Sequence, residues 1–204
     1  MPRLDKILHC FRLPIFLTIA SCGFIVINKQ AIAQNTPNVS IKTNYYDIQG
    51  STAKQLRSQL NQLGVVEPKT GKRFDGYTSW RVWWNYRYRP VSNQCQITQV
   101  TVNVQVIYIM PRWNPAATAS MDLKNCWNRY ITALGLHEDG HKNHGVKAGQ
   151  DILKTLNNLT TDSCQQIGDI ANQKGDAIMK QYNLKDIEYD RLTQHGLTQG
   201  AVFP

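Results

Sequence analysis

Apolar residues recur along this chain with two periods, and the change from one to the other divides it. Tyr77 to Arg89 alternates: Trp80, Val82, Trp84, Tyr86 and Tyr88 fall on one side, and Arg81, Trp83, Asn85, Arg87 and Arg89 on the other. A period of two puts successive side chains on opposite faces of a strand, so this run predicts a strand with one buried, aromatic face. Gln96 to Met110 repeats the pattern, with Val100, Val102, Val104, Val106 and Tyr108 on one side and Thr101, Asn103 and Gln105 on the other. The turn from Pro90 to Gln94 joins the two as an antiparallel hairpin, which Pro111 ends. Upstream, Gln34 to Ser40 reads as a loose leader and Tyr45 to Ile48 as a short strand. Ser51 caps a helix marked by Leu56, Leu60 and Leu63 and closed by Gly64. Pro68 to Gly76 reads as a turn-rich, basic loop.

From about Ser120 the period becomes helical. Leu123, Trp127, Tyr130 or Ile131, and Leu134 form a stripe that runs into His137, His141, His144 and Ala148, then on through Ile152, Leu153, Leu156 and Leu159. Gly140 and Gly145 each weaken a helix by about 1 kcal/mol against alanine. The stripe is therefore one helix to about Asn158 or two divided after Gly145, and a glycine there marks close approach by another element. Asp162 or Ser163 caps a further helix with Ile167, Ile170, Ala171, Ala177, Ile178 and Tyr182 inside. Tyr189 to Gly196 is polar and turn-like, and the tail to Pro204 is not expected to be helical. The expected architecture is α+β, an antiparallel sheet packed on a long helix with further C-terminal helices.

Within the long stripe, His137-Glu138-Asp139-Gly140-His141 has the form H-E-x-x-H. Residues four apart share a helix face, so the two imidazoles can grip one metal ion. Glu138, one step round, can reach a water without binding the metal. That is the chemistry of a zincin-like peptidase: Zn²⁺ on two histidines, and a carboxylate that takes a proton from water. The plainer alternative is a helix with two surface histidines and a solvated acid. The apolar stripe argues that the histidines point inward.

Composition adds an address. Arg3, Lys6 and Arg12 precede the apolar Leu13 to Ile27, and Ala31-Ile32-Ala33 forms a small-x-small site, which together predict a signal peptide over residues 1–33. An uncleaved anchor and a lipoprotein signal at Cys22 are weaker alternatives; the apolar run is short for a membrane span. Residues 34–204 then form a single exported domain, secreted or in the cell envelope, with no stable membrane span. The formal net charge of +9 is scattered apart from Arg81, Arg87 and Arg89 on one strand, and no nucleic-acid motif accompanies it. Cys95, Cys126 and Cys164 remain after cleavage, enough for one disulfide with one thiol left over, the pairing open.

A catalytic zinc usually takes three protein ligands. His144 shares the helix face but lies about 10.5 Å along the axis from His137, too far to close on the same ion. Position 144 is His and 147 is Lys, which excludes the extended pattern with a third histidine six residues on. Glu188 and Asp190 are possible carboxylate ligands. The expected third ligand is His195, at a turn that Gly196 allows to bend. Tyr189 is a candidate hydrogen-bond donor to an oxyanion.

Several of these segments resemble a bacterial family of the domain-of-unknown-function-922 type, whose members are predicted secreted zinc-dependent proteases. The likeness rests on Tyr46-Asp47-Ile48-Gln49-Gly50-Ser51, Trp80 to Tyr86, Cys95, Met110-Pro111-Arg112-Trp113, His137 to His141, and Tyr189-Asp190 with Thr193, His195 and Gly196. The resemblance implies that His195 and Gly196 belong to the site. The function expected is a zinc metallopeptidase acting on a peptide or protein substrate, with Glu138 as general base. The alternatives are a cell-wall peptide amidase and a non-catalytic envelope module in which exposed Trp83 and Trp113 bind sugars or proteins.

Overall fold

A computed structural model describes residues 35–68 and 71–204. The expected signal peptide over residues 1–33, with its cleavage after Ala33 and the alternatives of an anchor or a lipoprotein signal at Cys22, lies outside those residues. Strand β1 (Asn38–Ile48) leads to helix α1 (Ala53–Leu63), the short strands β2 (Val65–Val66) and β3 (Arg73–Phe74), and the long hairpin β4 (Tyr77–Val91) and β5 (Gln94–Trp113). Helix α2 (Met121–Asn157), strand β6 (Thr160–Thr161), helix α3 (Ile167–Thr193) and a 3₁₀ turn (Leu197–Gln199) complete the chain. Among the described residues no helix is long and apolar enough to cross a membrane.

The fold is α+β, and the sheet is mixed rather than antiparallel. Its order is β1-β5-β4, with β6 on the end of β5. The hairpin pairs antiparallel from Tyr77–Ile109 to Val91–Gln94, but β1 runs parallel to β5, from Asn38–Asn103 to Ile48–Trp113. The reason is topological. An intervening helix and hairpin carry the chain from β1 round to β4, so β1 reaches the far side of β5 by a crossover. Residues that look like a loose leader thereby become strand, because β5 presents unpaired backbone along that edge. Likewise β5 continues past Pro111 to Trp113; proline lacks one donor, and here it is the end of the strand alone that must do without it.

Alternation decides burial as expected: Val100, Val102, Val104 and Val106 are buried, while Trp83 stays exposed. Trp113 is core, edge-on to Trp127 at 5.6 Å between ring centroids. Two apolar clusters result. One joins the inner sheet face to the second half of α2 and the start of α3. The other joins α1, the end of β5, the first half of α2 and Phe203. Helix α2 is unbroken across both, capped by the Ser120 hydroxyl on Leu123 N–H. Its glycines mark contacts rather than breaks. A methyl group on Gly145 would meet Trp80 at 2.6 Å, and one on Gly149 would meet Val104 at 2.5 Å.

Helix α3 begins at Ile167, later than a cap at Asp162 or Ser163 would place it. Thr160 and Thr161 pair with β5, and Cys164 is tied to Cys95, so the segment before Ile167 is held at the sheet. That crosslink spans 69 residues, a loop whose closure stabilises by about 4 kcal/mol on chain-entropy grounds. Cys126 is the free thiol. At its other end α3 continues through Tyr189 and Asp190 to Thr193, where a turn was expected, and Gln194 and His195 then take positive φ.

Two glycines of α2 make a matched test. Gly149→Ala should destabilise by about 1–3 kcal/mol, because Val104 has no room to yield. Gly135→Ala, with nothing within 4 Å of the new methyl, should stabilise by roughly 0.5–1 kcal/mol. Urea denaturation of both variants beside the wild type measures the difference.

Candidate functional site

Between its two apolar stretches, α2 buries three polar side chains. His137, Glu138 and His141 are 4%, 3% and 8% exposed, as dry as the core on either side. A buried ionisable group costs several kcal/mol unless it is partnered, so the partners define the site. They come from α3. Gly140 lets the helices close up: a methyl there would sit 2.3 Å from the Tyr189 ring. The Tyr189 ring stacks on His137, 5.1 Å between centroids at an interplanar angle of 11°.

Asp186 and Asp190, one turn apart on α3, face His137 and His141, one turn apart on α2. Asp190 Oδ1 lies 3.3 Å from His137 Nε2 and 3.1 Å from His141 Nε2. The other ring nitrogens are held from behind. His141 Nδ1 lies 3.1 Å from Asp186 Oδ1, and His137 Nδ1 lies 2.9 Å from Gln199 Oε1. Both partners are oxygen acceptors, so each Nδ1 carries a proton, and each Nε2 is directed at Asp190 Oδ1, a further acceptor. Gln199 is itself fixed, donating through Nε2 to Tyr189 Oη at 3.1 Å, and Tyr189 donates to the His137 carbonyl at 3.1 Å. Trp80 Nε1 donates to Asp186 Oδ2 at 2.6 Å, and His144 Nδ1 reaches Asp186 Oδ1 at 2.5 Å.

Electrostatics follow from this packing. Burial alone would lower the His141 pKa, but the Asp186 and Asp190 carboxylates outweigh it and raise it to about 10. Burial pushes Asp190 up, yet hydrogen bonds from His137 and His141 bring it well below the ordinary carboxylate range. Glu138 is raised, chiefly by burial, with Thr78 and the two imidazoles opposing. Its carboxylate rests against Gly76, where a methyl group would come within 2.8 Å of Oε1. The Thr78 hydroxyl beside it is buried without a hydrogen-bond partner of ordinary geometry.

This donor set fits a divalent cation. Among the described residues, His137, His141 and Asp190 form the group whose ligand atoms all lie within 4.8 Å of one another. A tetrahedral ion with ligand bonds of about 2.1 Å needs donors roughly 3.4 Å apart, close to the 3.3 and 3.1 Å separations here. Two imidazoles with their far nitrogens hydrogen-bonded are the usual support of such a site.

His195 is not in that group. It lies at the cleft rim, its ring 4.6 Å from that of Phe74 and its Nδ1 3.4 Å from Asp190 Oδ1. Helix α3 runs a full turn further than expected, which carries Asp190 to the histidines and leaves His195 beyond it. Glu188 points away and pairs with Arg191. The Tyr189 hydroxyl is spent on His137 and Gln199, and His144 joins the site at one remove, through Asp186 and edge-on to the Tyr189 ring. Sequence reasoning missed Asp186 and Gln199. The four-residue spacing of Asp186 and Asp190, matching that of His137 and His141, is a signal that could have found the first; nothing local marks Gln199.

The group opens on a cleft of about 530 Å³, lined by the segment from Phe74 to Trp80, by His137, Glu138, His141 and Asp190, and by His195 and Phe203. Residues 43–196 match the model of a family described as bacterial protein of unknown function (DUF922), and the chain belongs to that family. No curated protein and no solved structure matches it.

The metal-free protein should be pH-sensitive in a defined direction. The His141 pKa rises from 6.5 to about 10 on folding, so its contribution to stability is complete below pH 6.5 and lost as pH climbs through 10. Chemical denaturation in a chelator across that window should show the decline, and Asp186→Asn should flatten it.

Proposed function

We propose that this member of the DUF922 family is a zinc-dependent hydrolase that cleaves peptide bonds, exported from the cell and zincin-like in its finer fold. The observation that carries the reading is the convergence of His137 Nε2, His141 Nε2 and Asp190 Oδ1 beside a buried carboxylate at the floor of an open cleft. His137, His141 and Asp190 would hold the ion, with Asp190 in the part expected of His195. A structural metal would instead favour four protein donors and no cleft.

When bound, zinc supplies a Lewis acid that polarises a carbonyl and acidifies water. The chain's own groups do the rest. Glu138 accepts a proton from the attacking water and delivers it to the leaving amine. Asp186 and Gln199 keep the protons on Nδ1, so both Nε2 atoms remain donors to the cation. Strand β4 is an edge strand, and its first residues line the cleft, so its free backbone can align an extended peptide. Substrates fitting that alignment are peptides and unfolded protein segments, cell-wall peptides among them.

Glu138→Gln should keep its zinc, measured by elemental analysis, and lose at least about a hundredfold in hydrolysis of a fluorogenic peptide library. Equal hydrolysis by wild type and variant would reject the mechanism. Asp190→Ala should lose zinc where His195→Ala retains it; the reverse result would return His195 to the ligand set.

A further inference from the structure

The sheet face turned away from α2 and α3 has a composition that the hydrolase reading does not use. Register sets its rows. Asn38 on β1 stands beside Asn103 on β5 and Trp83 on β4; the next row is Ser40, Gln105 and Arg81. The amides are already in contact, Asn38 Nδ2 donating to Asn103 Oδ1 at 3.1 Å. Trp83 is 46% exposed in the middle of this polar surface. A large aromatic ring left in water, ringed by amides, is not explained by packing.

Charge on the strands is one-sided. Together β1, β4 and β5 carry Lys42, Arg81, Arg87, Arg89 and Arg112 but a single acid, Asp47, and Arg112 holds that acid in a two-point ion pair. The other four cations all fall on the outward side of the register, and among the described residues none has a carboxylate partner. From Arg81 to Arg89 the row runs roughly 26 Å at about 3.3 Å per residue.

We propose that this face binds an anionic glycan, a polysaccharide bearing carboxylates. Trp83 offers an apolar ring to the C–H side of a sugar. Amides both donate and accept, as hydroxyl groups require, and guanidinium groups take carboxylates in paired hydrogen bonds. A nucleic-acid strand fits less well. One aromatic side chain cannot stack successive bases. Tyr77 and Ser79, further along β4 on the same side, line the cleft, so a polymer lying on this face leads toward it. The proposal stands apart from the hydrolase reading, because binding needs neither metal nor Glu138.

Affinity electrophoresis of the purified protein in gels containing polygalacturonate, hyaluronate, dextran or a single-stranded oligonucleotide tests it, at about 0.15 M salt to screen weak attraction. Retardation by polygalacturonate or hyaluronate, but not by dextran, is expected. Trp83→Ala should weaken it about tenfold, and the double substitution Arg81→Ala with Arg87→Ala at least as much, with thermal unfolding of both variants unchanged. Overturning results are retardation by neither acidic polymer, equal retardation by dextran, tighter binding of the oligonucleotide, or full binding by a folded Trp83→Ala protein.

Discussion

Three ionisable side chains buried on one helix set the terms for the rest of this structure. His137, Glu138 and His141 lie where α2 passes from one apolar cluster to the other, each less than a tenth exposed, so little of the cost of burial is met by solvent. Glu138 is offset by the histidines themselves and by Thr78, and the two histidines therefore need carboxylates brought to them. Helix α3 does this by folding back along α2 with Asp186 and Asp190 at the same spacing as the two histidines. The close approach depends on Gly140, since any side chain there would displace the Tyr189 ring. Packing and polar pairing are thus one requirement. The glycine that weakens α2 as a helix lets α3 satisfy its buried groups.

The same economy extends to the tail. Phe203 fills the second core against Trp127 and Tyr130, and this anchors the turn that carries Gln199 to His137. Each imidazole is in consequence oriented by a group from a different element. Proton position on the ring follows from that, and with it the nitrogen left facing Asp190. A cation placed among these donors would replace protons that the fold already holds in place.

Charge is distributed by element as well as by site. Helices α2 and α3 carry both signs, and acids line the cleft, whereas β1, β4 and β5 carry cations with a single acid, Asp47. The inner face of the sheet is spoken for by α2, so the outward face keeps the residues that packing excludes. Its amides and its single exposed tryptophan give that surface a chemistry separate from the cleft.

Much of this was legible in the chain itself. Alternation marked the β4–β5 hairpin and its buried face, the apolar stripe marked α2, and the spacing of His137 and His141 put both imidazoles on its inner side. These are local facts, settled by the two- and 3.6-residue periods of the backbone. Partners distant along the chain were another matter. Strand β1 became parallel because of a crossover, Cys95 met Cys164 rather than Cys126, and Asp190 came to the histidines in place of His195. Each depends on which elements lie side by side and how far a helix continues. Residues near Asn38 and Tyr189 carry no apolar period strong enough to announce it. Local pattern fixed the faces; tertiary packing, by bringing separated segments within hydrogen-bonding distance, chose who meets across them.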